Sequence, residues 1–358
     1  NPVKIQLAEK KTKRGGRRFW MADPFNTFRQ FQDEFNRNLY LRGDVIKASN
    51  YFRHYIFRTS PVDKVVLGKE NWLFYAKAKN NCNIIEYYRA VSPFSEEDLS
   101  NWRNALEARH RYLKSRGIHY LFVVVPNKST VYSEYMPNHI RRSSNANRFD
   151  QLLGHLKKSG SPVQIMDLRP LFFNQKKTQK LYAVTDSHWN DRGAYYAYRE
   201  IIRKLRQMGI KSFEKPLKSF KKVRINRHMG GDLAQMLSLE NLYREDIERF
   251  DFSDQANELK RCPNPYKKPF VDIDIKSSSS GDIGTTIVVH DSFGYKLKPF
   301  LSPHFKRIVY IRDWHLDFDL NILNCEKPVL VIEEMAERFF MVRQLKNPPE
   351  LQSKPSLD

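Results

Sequence analysis

The chain has 358 residues, with 62 Lys and Arg against 40 Asp and Glu, and a formal net charge of +22 at pH 7. A hydrophobic fraction of 41% and an aromatic fraction of 13% exclude a disordered chain, and no apolar run reaches the length of roughly 18 residues that a membrane-spanning helix needs. The positive excess points to anionic partners, and the absence of a zinc-finger, RNP-type or helix-turn-helix signature argues against nucleic acid among them.

Residues 1–60 read as a basic arm, Lys10 through Arg18, followed by a helical segment in which Phe19, Trp20, Phe25, Phe28, Phe31 and Phe35 interleave with polar residues. The chain starts at Asn1 without a methionine, so a signal peptide or membrane anchor is expected upstream. Two short apolar runs around Gly68-Lys69-Glu70-Asn71 predict a hairpin over residues 62–75. A helix should follow. Ser95 is an N-cap, Glu96, Glu97 and Asp98 suit its positive end, Leu99, Trp102, Leu106 and Leu113 recur at helical spacing, and Gly117 suits its exit. The apolar run Tyr120–Pro126 reads as a strand buried on both faces. Helical patterns near 145–158 and 191–208 alternate with strand-like runs at 163–168, 285–290, 307–311 and 328–332. That alternation predicts a doubly wound α/β fold, a mostly parallel sheet flanked by helices. Residues from about 212 to 280 break the rhythm and read as an inserted basic segment containing Lys211, Lys215, Lys218, Lys221, Lys222, Arg224 and Arg227. The expected organisation is therefore an arm over 1–60, a catalytic domain over 61–345 and a tail over 346–358. Cys82, Cys262 and Cys325 are too scattered for a zinc site and too few for a disulfide framework.

In open α/β sheets reactive groups collect where strands give way to loops at their carboxyl ends. His290-Asp291-Ser292-Phe293-Gly294 follows such a strand. Ser292 there can act as a nucleophile, with backbone N–H groups and Gly294 shaping part of an oxyanion hole; Asp291 or Ser292 can equally cap the next helix. Thr185-Asp186-Ser187-His188-Trp189-Asn190 places a carboxylate two residues before an imidazole, so Asp186 can fix the His188 tautomer and leave the other ring nitrogen free to take a proton. A metal would need further ligands at suitable spacing, and none is evident; no metal or cofactor is expected.

These segments resemble the alginate O-acetyltransferase family (AlgJ/AlgX-like), whose domain is SGNH-hydrolase-like. The likeness rests on Asp186-Ser187-His188-Trp189-Asn190 and on the Ser292 segment. Gly68 through Tyr75, Val125 through Tyr132, Gly231-Asp232-Leu233-Ala234 and Val331 through Arg338 support it in collinear order. The resemblance implies Ser292 as nucleophile, His188 as general base and Asp186 as orienting carboxylate. Asn127 is then a candidate second oxyanion donor and Lys128 a candidate for a substrate carboxylate, while Trp189 is either a sugar platform or a packing residue. It further implies an extracytoplasmic protein that takes acetyl groups from a membrane-bound partner and passes them to a polysaccharide. The basic segment with Lys218, Lys221 and Lys222 would hold that polymer if it is acidic. The same triad serves an acetylesterase, and a non-catalytic polyanion binder is the third alternative.

Overall fold

The computed structural model describes residues 42–78, 82–143, 146–252, 257–258, 272–313, 319–347 and 351. The chain divides into residues 1–49 and 50–358; helix α1 (Arg42–Tyr51) runs across that boundary, and the basic arm lies outside the described residues.

After a short antiparallel hairpin, β1 (Val65–Leu67) with β2 (Leu73–Tyr75), come helices α2 (Ile84–Arg89) and α3 (Glu96–Lys114). Ser95 and Asp98 form a reciprocal capping box at the start of α3, and Leu99, Trp102, Leu106 and Leu113 are its buried stripe. Strand β3 (His119–Val125), buried from Tyr120 onward, leads into helix α4 (Lys128–Val131). Then follow helix α5 (Arg148–Lys158), strand β4 (Ile165–Asp167), and helices α6 (Arg169–Gln175) and α7 (Asp191–Gln207).

The segment read as an insertion has its own order. Strands β5 (Lys221–Met229) and β6 (Arg244–Asp251) form an antiparallel ribbon around helix α8 (Asp232–Met236). Strands β7 (Asn257–Glu258) and β8 (Asp272–Ser277) join the main sheet at its edge. Strand β9 (Ile283–His290), helix α9 (Gly294–Leu301), strand β10 (Phe305–Arg312), helix α10 (Leu320–Glu326) and strand β11 (Leu330–Ala336) complete the described core.

The seven-stranded sheet runs β4-β3-β11-β9-β10-β8-β7. Strands β4, β3, β11, β9 and β10 are parallel neighbours; β8 is antiparallel to β10 and β7 to β8. Parallel order brings the carboxyl ends of β3, β11 and β9 to one edge, so Asn127, Arg338 and Ser292 all follow strands that end there. Phe340, just past β11, closes the core: its ring lies 4.9 Å from Trp102 and 5.3 Å from Phe149. No helix among the described residues is long and apolar enough to cross a membrane.

Strand β11 is buried along its whole length and yet carries Glu333 and Glu334. Glu333 is answered in full: Arg109 Nη1 donates to it at 2.7 Å and the Tyr120 hydroxyl at 2.5 Å. The remaining donors of Arg109 reach Asn347 Oδ1 and the Lys346 carbonyl, tying α3 to the end of the described chain. Arg109→Met would strand a buried carboxyl without its counter-ion. Urea unfolding is expected to show a loss of about 3–5 kcal/mol, much of it recovered in Arg109→Met/Glu333→Leu.

Candidate active site

His188 Nε2 lies 2.9 Å from Ser292 Oγ, joining groups 104 residues apart in the chain. On the far side of the ring, Nδ1 lies 2.9 Å from Asp186 Oδ1, and the same oxygen accepts the His188 backbone N–H at 2.8 Å. The two contacts from one carboxylate oxygen fix both the backbone and the ring, and they assign the proton to Nδ1 while Nε2 faces the hydroxyl. Burial opposes ionisation of Asp186. The His188 hydrogen bonds and charge outweigh it and hold the carboxyl well below its ordinary range. All three side chains are half-buried.

Each part is locally built. Asp291 Oδ1 accepts the Phe293 N–H at 2.8 Å, turning the chain sharply after β9, and its Oδ2 accepts the Ala336 N–H at 2.8 Å, fastening that turn to β11. Asp291 thus builds a turn rather than a helix cap, since the helix after it opens at Phe293 with no side-chain cap, and Ser292 is left to face His188. Asn190 caps α7 by accepting the Gly193 N–H at 2.9 Å. Trp189 is 1% exposed, packs on Phe172 and Phe293, and donates its ring N–H to the Phe293 carbonyl at 3.1 Å. It cannot offer a face to a sugar; it packs under the turn that carries Ser292. Gly294 closes that turn, its N–H reaching the Asp291 carbonyl at 3.3 Å, and a Cβ there would stand 2.4 Å from the His290 ring. Its amide is thus spent on the turn rather than on an oxyanion.

Lys128 also departs from expectation. It is 4% exposed, and its ammonium donates to the carbonyls of Val184 at 2.7 Å and Asp186 at 2.9 Å. Burial pushes it down to about 7. A side chain so placed is withheld from a substrate carboxylate. Lys218 is exposed on the turn before β5; Lys221 and Lys222 lie on β5, with side chains outside the described residues.

Asn127 follows β3, buried. Its backbone N–H donates to Glu337 Oε1 at 2.8 Å, and Arg338 approaches its side-chain oxygen at 3.5 Å. A guanidinium can only donate, so the oxygen faces it, and the buried amide nitrogen has no partner among the described residues. Among the described residues the Ser292 backbone N–H is likewise given to no acceptor. These are two donors in want of an acceptor at one sheet edge.

Three groups were missed by the sequence reading. Asp232 accepts the Ser187 N–H at 2.7 Å and the Ser187 hydroxyl at 2.5 Å, and lies 3.4 Å from His188 Nδ1. Burial and the neighbouring Asp186 charge raise its carboxyl above the ordinary value. Asp186, His188 and Asp232 together present three ligand atoms within 4.8 Å, a grouping that spacing alone did not reveal. Their oxygens are hydrogen-bonded to His188 and to Ser187. Glu245 accepts the N–H groups of Val184 and Thr185 and the Thr185 hydroxyl. Arg338 sits over the Phe293 ring at 5.0 Å. Asp232 and Arg338 belong to segments whose resemblance was visible; Glu245 stands among many charges with nothing to single it out. Cys82 is a buried free thiol raised by burial to about 11, Cys325 is disulfide-bonded, and Cys262 lies outside the described residues.

Gly231 permits α8 to approach this cluster. A Cβ there would stand 2.6 Å from the Asp186 Cβ and 3.0 Å from its Cα, so the carboxylate would have to move. Gly231→Ala is expected to slow labelling of Ser292 by a serine-directed sulfonyl fluoride on the order of tenfold or more, with the circular dichroism spectrum unchanged.

A family model described as the SGNH hydrolase-like domain of the acetyltransferase AlgX matches residues 65–259, a span that includes Asp186, His188 and Asp232 and ends before Ser292. A probable alginate O-acetylase AlgJ from Pseudomonas aeruginosa is 28% identical over 190 residues, covering 52% of this chain and 44% of its own length. The chain thus spans less than half of that relative. Among solved structures, PatB1 of Bacillus cereus has a TM-score of 0.57 at 17% identity, covering 78% of this chain and 97% of that one. The O-acetyltransferase domain of Pseudomonas putida AlgJ has a TM-score of 0.50 at 19% identity, covering 81% and 95%. At such identities these two likenesses speak for the fold.

Proposed function

The chain belongs to the SGNH hydrolase-like acetyltransferase family of AlgX, and from that premise we propose that it transfers acetyl groups to a polysaccharide hydroxyl through an acetyl-Ser292 intermediate. The observation that carries the proposal is the unbroken chain Asp186–His188–Ser292, with both links at 2.9 Å.

In the first half-reaction Ser292 Oγ attacks the carbonyl carbon of an acetyl donor while His188 Nε2 takes its proton. The carbonyl oxygen becomes an oxyanion, for which the Ser292 N–H and the Asn127 side-chain amide are the available donors. Collapse breaks the bond to the leaving group, which receives the proton from His188. In the second half a sugar hydroxyl loses its proton to His188 and attacks the acetyl-serine. Collapse then releases the sugar acetate, and the proton returns to Ser292. Throughout, Asp186 stays ionised and stabilises the transient imidazolium.

The net charge of +22 favours an acidic acceptor polymer, and we assign its retention to the basic segment that contains Lys218. Disulfide-bonded Cys325 favours an oxidising, extracytoplasmic setting, where a membrane-bound partner would supply the acetyl groups.

Intact-mass spectrometry after incubation with an activated acetyl ester should show one added acetyl group on the wild type and none on Ser292→Ala. Discharge by a saccharide faster than by water makes the protein a transferase; discharge indifferent to saccharide makes it an esterase; no serine-dependent acetylation in the wild type sinks the proposal. Asp186→Asn, which keeps the shape and loses the charge, should lower acetyl turnover by about 10⁴-fold.

A further inference from the structure

Lys128 opens α4 directly after Asn127, and its ammonium lies 5.1 Å from the Trp72 ring centroid and 5.5 Å from that of Phe74. Its two described hydrogen bonds end on Val184 and Asp186, the carbonyls that bracket Thr185 at the start of the Asp-x-His loop. Resting on the reading of Ser292 as nucleophile, we propose that Lys128 is a positioning residue for the transfer: its ammonium pins the Asp186 backbone, and through it the carboxylate that aligns His188.

The placement argues for this role over plain packing. A buried ammonium is costly to keep, and burial here depresses its ionisation to about 7, so an isosteric apolar residue would serve packing better. The charged groups around it are Glu245, Asp186 and Asp232, all of which hold the same loop, with Lys180 the opposing cation. Glu245 grips the N–H groups of Val184 and Thr185 and Lys128 the carbonyls of Val184 and Asp186, so the peptide unit between Val184 and Thr185 is held from two directions. Without Lys128 the Asp186 carbonyl has no described partner, and a shift of about 1 Å would break the 2.9 Å contact to Nδ1.

The test uses the full chain and a small acetyl ester. Lys128→Met, nearly isosteric and uncharged, is expected to lower kcat about 10²-fold with KM within about twofold of wild type. In Lys128→Ala the same loss should be partly restored by added propylammonium and not by 1-propanol, a response that a packing defect would not give. Wild-type kcat in Lys128→Met, a loss carried by KM alone, or equal effects of amine and alcohol would each overturn the inference. Ser292→Ala is the control: if it turns over the ester as fast as the wild type, the nucleophile reading fails first and this inference falls with it.

Discussion

An irregular loop at the edge of a sheet can hold an imidazole still only if its own backbone polar groups are answered, and residues 184–188 meet that constraint almost wholly through other segments. Glu245 takes the N–H groups of Val184 and Thr185, and Asp232 takes that of Ser187. The start of α8 donates to the Thr185 carbonyl through Leu233 and Ala234, and Leu73 from the hairpin donates to Val184. The loop is held much as a ligand is held in a binding site. Its side chains are then free to face Ser292, and the ribbon β5–β6 with α8 becomes a support for the reactive geometry.

On the Ser292 side the same economy is visible. Asp291 spends one oxygen on the Phe293 N–H and the other on Ala336, so one carboxylate both makes the turn and fastens it to the neighbouring strand. Beneath it lie Glu334, whose acidity burial and the adjacent Asp291 reduce strongly, and Arg343, which burial disfavours as a cation. The sheet edge is thus an electrostatic platform sunk into an apolar core. Hydrogen-bonded polar groups held in such surroundings are costly to rearrange.

Much of this was legible in the sequence because it was written in local patterns. Strand β3 announced itself as an unbroken apolar run, α3 by its cap and stripe, and Asp186, His188 and Ser292 by their positions at strand exits. The charged residues of β11 could not be read that way: Glu333 and Glu334 interrupt an apolar pattern, and Arg109 and Tyr120, 224 and 213 residues earlier, explain the first of them. Asp232 and Glu245 were obscured for a related reason. They sit in a stretch whose composition suggests a solvated surface, and their partners lie 45 to 61 residues back in the chain. For Trp189, next to His188, the sequence left a sugar platform and a packing role both open, and its indole N–H, pointing inward to Phe293, decides for packing. Composition reports what a segment can tolerate; which neighbour meets it depends on topology.

That topology also sets an order of assembly. Strand β11 comes last in the chain but lies between β3 and β9, the strands that lead to Asn127 and Ser292. Until it is threaded into that gap, Asp291 lacks the Ala336 N–H and Asn127 lacks both Glu337 and Arg338. A chain emerging from its amino end therefore carries the serine, the histidine and the aspartate for some time before it can aim them. The geometry of that edge is therefore complete only once its last described strand is in place.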